Sequence, residues 1–229
     1  MGYHGSNLPG SMQSFRTPLT LSGQWVRLVP LERGHAPALS AAARDPEIGR
    51  LMLEGPGTTL REMETFIGLV LERQEAGTDL GFTTLLRSED RPVGMTRYLN
   101  IDRANQSVEI GGTWLDSALW RSPLNTESKY LLLRHAFEEE GVHRVSLQTD
   151  LRNERSQKAI ARLGAVREAV FRDDKLLRDG SFRTSVVYGI LVSEWPRVKR
   201  SLEAMLEREW TPATMVGPRT GRGEGRLRP

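Results

Sequence analysis

Two stretches of this chain hold residues whose types and spacing suit chemistry. In the first, the strand-like alternation Ser107-Val-Glu-Ile110 meets Gly111-Gly112 and crosses a loop, Arg121-Ser-Pro-Leu-Asn-Thr126. It then opens a leucine-rich helical pattern through Tyr130, Leu131, Leu132, Leu133, Ala136 and Phe137. A helix entered in this way points unpaired backbone N–H groups at one spot, which suits phosphate. Paired glycines inside a strand suggest a bulge or a close backbone approach. The loop is longer than the usual connection of about two to six residues. Asn125 and Thr126 can cap the helix and leave further N–H groups for an anion. The bland alternative is a plain strand-to-helix connection.

The second stretch is Asp150–Ala165. Asn153 and Ser156 stand three apart on a helical segment and share a face. They follow a strand at the edge where open α/β sheets bind ligands. Each could instead only cap that helix, although capping needs one of them, not both.

The elements that must position these residues are legible in order. Trp25–Leu31 alternates as a first strand, Gly34–Arg44 is an alanine-rich helix, and Asp45-Pro46 starts a short second one. Thr59-Leu-Arg-Glu62 is a capping box ahead of Met63, Phe66, Ile67, Val70 and Leu71 at helical spacing, ended by Gly77. Leu80–Arg87 and Val93–Leu99 form a hairpin around Ser88–Pro92. The long helix ends at Gly141. Val142–Asp150 is a strand, Asn153–Leu163 a helix, and Val166–Leu177 and Phe182–Val192 a last hairpin. Ser193 is expected to cap a final helix reaching about Glu209. The strand–helix–strand crossover makes the strands around Glu109 and Val145 parallel and right-handed in connection. The fold class is therefore α/β (α+β): a mixed, mostly antiparallel twisted sheet with helices on both faces.

Composition narrows the function classes. The chain has 229 residues, 38% hydrophobic and 27% charged, and no apolar run of the roughly 18 residues that a membrane span needs. With no cysteine, disulfides, thiolate metal sites and a cysteine nucleophile are excluded, and a reducing cytoplasm fits. His35, His135 and His143 have no metal-ligand spacing, so no metal is expected; His135 and His143 suit a helix end and a strand edge. The segment 211–229, with four arginines and one glutamate, accounts for the whole formal net charge of +3. It reads as a disordered, solvated Arg/Gly/Pro-rich tail, a nucleic-acid role being the minority reading. Residues 1–20 read as a flexible leader, tag-like to about residue 11, which leaves 21–210 as a single domain.

The chain from about Leu21 to Leu206 resembles the GNAT acyltransferase superfamily, and within it the branch of the ribosomal-protein N-terminal acetyltransferases. The resemblance is carried by Glu109-Ile-Gly-Gly-Thr-Trp-Leu115, Leu124-Asn-Thr-Glu127, Gly141-Val-His-Arg144, Asn153-Glu-Arg-Ser156 and Leu163-Gly-Ala165. It implies an acyl-CoA donor, acetyl-CoA or succinyl-CoA, and a primary-amine acceptor: a protein N-terminus, a lysine or a small amine. It implies that Thr113, Trp114 and Leu115 align the pantetheine arm and that Arg121, Ser122, Leu124, Asn125 and Thr126 hold the pyrophosphate. Asn153 would bond the pantetheine, Ser156 would protonate the leaving thiolate, Glu109 would serve as general base, and an N–H near Thr113 would meet the oxyanion. Acceptor choice would reside in Gly34–Gly77 and Arg178–Ser181.

One position departs from the family pattern: Pro123 stands where a glycine is usual and has no N–H to give. Arg121 and the Ser122 hydroxyl are the expected compensation. Glu109 could alternatively only pair with a neighbouring arginine, and Ser156 could only position the thiol. The competing class is a CoA-binding module without catalysis. The final helix and hairpin suggest a homo-oligomer.

Overall fold

The computed structural model describes Met12, Phe15 and residues 19–207. The rest of the expected leader, the expected helix end near Glu209 and the tail over 211–229 lie outside the described residues. Phe15 is 1% exposed and meets the Tyr98 ring edge-on at 4.8 Å, so the packed chain includes a residue before position 21.

Eight strands form one sheet: β1 (Leu21–Ser22), β2 (Val26–Pro30), β3 (Leu80–Leu86), β4 (Arg91–Asp102), β5 (Ser107–Leu115), β6 (Arg144–Asp150), β7 (Val166–Leu176) and β8 (Phe182–Leu191). Their order is β1-β2-β3-β4-β5-β6-β8-β7. Every neighbouring pair is antiparallel except β5 and β6. The helices are α1 (Ala36–Ala42), α2 (Leu60–Glu75), α3 (Leu124–Arg134), α4 (Glu154–Arg162) and α5 (Trp195–Leu206). This is the mixed, mostly antiparallel arrangement that the sequence leads one to expect.

Two apolar cores lie on opposite faces. One joins α3 and α5 through Leu124, Leu131, Leu132, Trp195, Val198 and Leu202 to Val108, Ile110 and Phe82 of the sheet. The other joins α1 and α2 through Leu39, Met63, Phe66, Ile67 and Val70 to Met95 and Trp114. Successive strand residues point to opposite faces, and Phe82 enters the first core while its neighbour Gly81 lies against Val70 and Leu31 of the second. Each fully buried side chain of the α2 stripe stabilises the fold by about 1.5–3 kcal/mol. The Thr59–Glu62 capping box forms as read, with Glu62 N–H donating to Thr59 Oγ1 at 3.2 Å and Thr59 N–H to Glu62 Oε2 at 3.0 Å.

Two local expectations are corrected. Glu194, not Ser193, holds the N-cap position of α5, and its side chain makes no cap bond; Pro196 fits the first turn, where a missing N–H costs nothing. Asn125 and Thr126 are not caps, because α3 starts at Leu124 with Pro123 in the N-cap position. His135 stands at the end of α3, in its C-cap position, and there opens a π-helical turn, His135–Glu139; it is 2% exposed with Tyr98 Oη 3.1 Å from Nδ1. Among the described residues no helix is long and apolar enough to cross a membrane.

Candidate active site

The parallel ladder between β5 and β6 is short. It pairs Ser107 with Arg144, Val108 with Val145 and Glu109 with Ser146, and then stops. Beyond Glu109, β5 stays paired with β4 while β6 continues on β8, so the two strands part. From Ile110 to Leu115 one edge of β5 therefore has no strand partner. A sheet edge with free N–H and C=O groups is a template for an extended ligand.

The parting coincides with a bulge. Met95 pairs with Trp114 and Arg97 with Gly111, so Thr96 alone faces both Gly112 and Thr113. Gly112 takes φ +56°, a left-handed conformation that glycine adopts without steric cost. One extra residue inverts the side-chain alternation. Val108 and Ile110 enter the α3 core, yet after the bulge it is Leu115 that enters it, and Trp114 turns to the α1–α2 side. The paired glycines thus mark a real change of direction in the strand.

Glu109 occupies the last paired position before the strands part. Its carboxylate accepts from Asn100 Nδ2 at 2.9 Å and from Gln148 Nε2 at 3.1 Å. It forms no ion pair with an arginine among the described residues, so the purely structural pairing considered above is not realised. Burial raises its pKa above the usual carboxylate value, opposed by the Asn100 bond and by the charges of Arg183 and Arg97. A half-buried carboxylate held by amides alone is a better proton acceptor than one neutralised by a cation.

The loop after β5 leads to the uncapped end of α3. Pro123 precedes the helix, so its missing N–H belongs to no helical turn, and no side chain caps α3. The amides of Asn125 and Thr126, ahead of the first intrahelical bond from Glu127 N–H to Pro123 O, remain available for an anion. Arg121 is exposed and holds φ +68°. Ser122 offers no compensation for Pro123: it is buried, and its hydroxyl donates to Leu119 O at 2.6 Å and receives Leu124 N–H at 3.4 Å. The Leu124 side chain is fully buried, which leaves only backbone for a ligand. Asn125 is half-buried, and Thr126 Oγ1 accepts from Arg162 Nη2 at 2.9 Å. Arg162 thereby brings a second cation to the α3 N-terminus that the sequence reading does not single out.

On the opposite side of the parting, Asn153 caps α4 through a 3.0 Å bond from Ser156 N–H to its Oδ1. Capping thus takes Asn153 alone, and the half-buried Ser156 hydroxyl plays no part in it. Arg155 lies with its guanidinium carbon 3.4 Å from the Trp120 ring centroid, and Trp120 Nε1 donates to Leu115 O at 3.0 Å. Two contacts, Arg155–Trp120 and Arg162–Thr126, therefore tie α4 to the chain leaving β5.

A cavity of about 320 Å³ opens between the segment 43–62 and the β7–β8 turn, lined by Asp45, Arg50, Met52, Pro56, Arg178 and Asp179 among others. Arg178 Nη2 donates to Gly55 O at 3.2 Å and bridges its two walls. The loop wall is anchored by Glu54, which accepts from both terminal nitrogens of Arg73 at 2.5 Å and from Arg97 Nη2 at 2.9 Å. The Arg73 bonds, more than any other influence, hold Glu54 down at about 2.

One further residue lies beneath the bulge. Lys129 of α3 is 5% exposed, and its Nζ bonds to Thr113 Oγ1 and, at 3.4 Å, to Thr96 Oγ1. Its signal in the sequence is a cation three and four places before Leu132 and Leu133, on the buried face of a leucine-rich helix.

Residues 26–166 match the model of the acetyltransferase (GNAT) domain, more than half of the chain. The chain belongs to the GNAT acetyltransferase family. A solved acetyltransferase-type structure from T. thermophilus shares 39% identity with this GNAT chain, over 82% of it and 97% of that protein, with a TM-score of 0.76. YdaF of Bacillus subtilis (strain 168), provisionally named a ribosomal N-acetyltransferase, is 31% identical over 102 residues, which is 44% of this chain. The chain spans 55% of the length of that curated relative. The fold is also that of Mycobacterium smegmatis RimJ, solved in complex with CoA-disulfide, at a TM-score of 0.72 over 86% of this chain and 99% of that one, with 21% identity.

Proposed function

We propose that this GNAT protein transfers an acyl group from acyl-CoA, acetyl-CoA first, to a primary amine by direct attack within a ternary complex. The observation that carries the reading is the parting of β5 from β6 directly after Glu109, with one edge of Ile110–Leu115 unpaired. The pantetheine arm lies along that edge at Thr113–Leu115, near Asn153. The pyrophosphate meets the uncapped amides of Asn125 and Thr126 at the Leu124 end of α3, with Arg121 supplying charge. With Ser122 turned inward, its contribution is dropped from the reading.

An alkyl ammonium has no lone pair for attack, so Glu109 accepts its proton, directly or through water. The amine nitrogen then bonds to the thioester carbonyl carbon, and an N–H near Thr113 receives the developing oxyanion. Collapse breaks the C–S bond, Ser156 passes a proton to the CoA thiolate, and the second proton shed by the amine nitrogen restores the serine hydroxyl through water. Without cysteine, the commonest acyl-enzyme route is closed.

The acceptor enters from the cavity between 43–62 and the β7–β8 turn. Its glycine-rich loop and the ribosomal name of YdaF favour the N-terminus of a protein over a small amine. Succinyl-CoA is the alternative donor. The homo-oligomer reading rests on β7, one of the two edge strands of the sheet, whose hairpin exposes Phe171, Leu176 and Phe182.

Purified protein incubated with acetyl-CoA or succinyl-CoA and a panel of N-terminal peptides, lysine peptides and small amines tests the reading through free-thiol release. Release with peptides of free N-terminus supports it. Thermal stabilisation by acyl-CoA without turnover on any amine would favour the non-catalytic binding module instead.

A further inference from the structure

The chain carries 28 arginines and four lysines. One of those lysines, Lys129, is buried in the middle of the fold, and among the described residues its hydrogen-bond partners are two hydroxyls, with no carboxylate. Burying an unpaired amine costs more free energy than burying an apolar chain of similar length. Packing alone therefore gives no reason for lysine here. Arginine, which the chain uses almost everywhere else, keeps its proton in any environment and is larger.

The contacts of Lys129 converge on the bulge. Thr113 Oγ1 lies 2.8 Å from Thr96 Oγ1 and donates to Gly111 O at 3.3 Å. Each hydroxyl has one proton to give. With Lys129 donating to both, one hydroxyl gives its proton to the other, and the Thr113 proton goes to Gly111 O. With the Thr113 proton on Gly111 O, Thr96 is the donor to Thr113, and the lysine ties both hydroxyls into a chain of bonds that ends on the carbonyl just before Gly112. Without it, both hydroxyls are free to reverse and Gly111 O can lose its donor.

We propose that Lys129 is a positioning residue for acyl transfer: acting through Thr113, it fixes the Gly111–Thr113 bulge in the shape that offers the unpaired edge of β5 to the donor thioester. The proposal rests on the acyltransferase reading above. Burial also pulls the Lys129 amine down to about 7, with the Glu109 charge acting the other way, which fits an amine held by hydroxyls alone.

The test is a double-mutant cycle on the full chain with K129M and T113V, measuring kcat and KM for donor and amine. Each single substitution is expected to lower kcat at least tenfold while leaving the amine KM within twofold. The double variant is expected to be no slower than the slower single one. A K129M enzyme with kcat within twofold of wild type, or a double variant whose losses multiply, overturns the proposal. If K129M does not fold, T113V keeps the side-chain volume and decides alone: kcat within twofold of wild type overturns it. Wild-type protein that releases no thiol from any acyl-CoA instead overturns the acyltransferase reading, and the unmutated protein alone distinguishes that failure.

Discussion

Arg97 Nη2 donates to Glu54 at 2.9 Å, joining β4 at the Gly112 bulge to the loop that walls the cavity. Arg97 also faces Asp79 at 3.3 Å, and Glu54 is shared with Arg73. The strand proposed to hold the donor and the loop proposed to receive the acceptor therefore meet at one guanidinium. Glu54→Gln should raise the amine KM severalfold with the donor KM unchanged, measured by steady-state kinetics. Because Glu54 is about one-third exposed, the stability cost should stay near ~1 kcal/mol. Its folded pKa of about 2 lies below the unfolded value near 4.5, so its contribution is present above the unfolded value and fades as pH falls towards 2. Denaturant titrations of both proteins across pH 2–6 check the sign.

Glu109→Gln keeps the amide-facing geometry and removes the proton acceptor. We expect kcat to fall by about 10²-fold or more, with acyl-CoA affinity retained. Since burial raises the Glu109 pKa, activity in the wild type should rise with pH through an inflection above the ordinary carboxylate value. A Glu109→Gln enzyme with an unchanged rate across that profile removes the base assignment.

Arg121 is the exposed cation of the loop in which Pro123 gives no N–H. Arg121→Ala should weaken acyl-CoA binding by roughly tenfold and lower its salt dependence, as expected for a charge-assisted phosphate contact. Calorimetric titration at two salt concentrations reads both effects. An unchanged Kd and salt slope assigns the phosphate to other groups, Arg162 among them.

Gly112→Ala places a Cβ 2.6 Å from Arg97 Nε and forces a side chain into φ +56°. Strain of about 1–3 kcal/mol is expected. Thermal unfolding should show it as a lower Tm, together with weakened donor binding.

Lys129 gives a stability signature of its own. Its folded pKa of about 7 lies below the unfolded value near 10.5, so between these limits the unfolded chain binds more protons. Stability should therefore rise with pH across that window. K129M should flatten the rise, which denaturant titrations over roughly pH 6.5 to 9.5 would detect.

The sequence by itself determined the succession of elements, because hydrophobic period, capping residues and glycine stops are local. The Thr59–Glu62 box, the crossover that makes β5 and β6 parallel, and the glycine pair of β5 could all be read from neighbours in the chain. It also marked Glu109 and the Asn153–Ser156 pair, through a resemblance whose motifs are contiguous. Only the tertiary structure decided what depends on partners far apart in sequence. Pro123 turned out to sit outside the first helical turn, and the Ser122 hydroxyl to be used on Leu119. Glu54, Arg162 and Lys129 gained their places from Arg97, Thr126 and Thr113, each 16 or more positions away. No local periodicity encodes such meetings. They arise when the bulge turns one strand edge free and the packing of α3 carries a lysine beneath it.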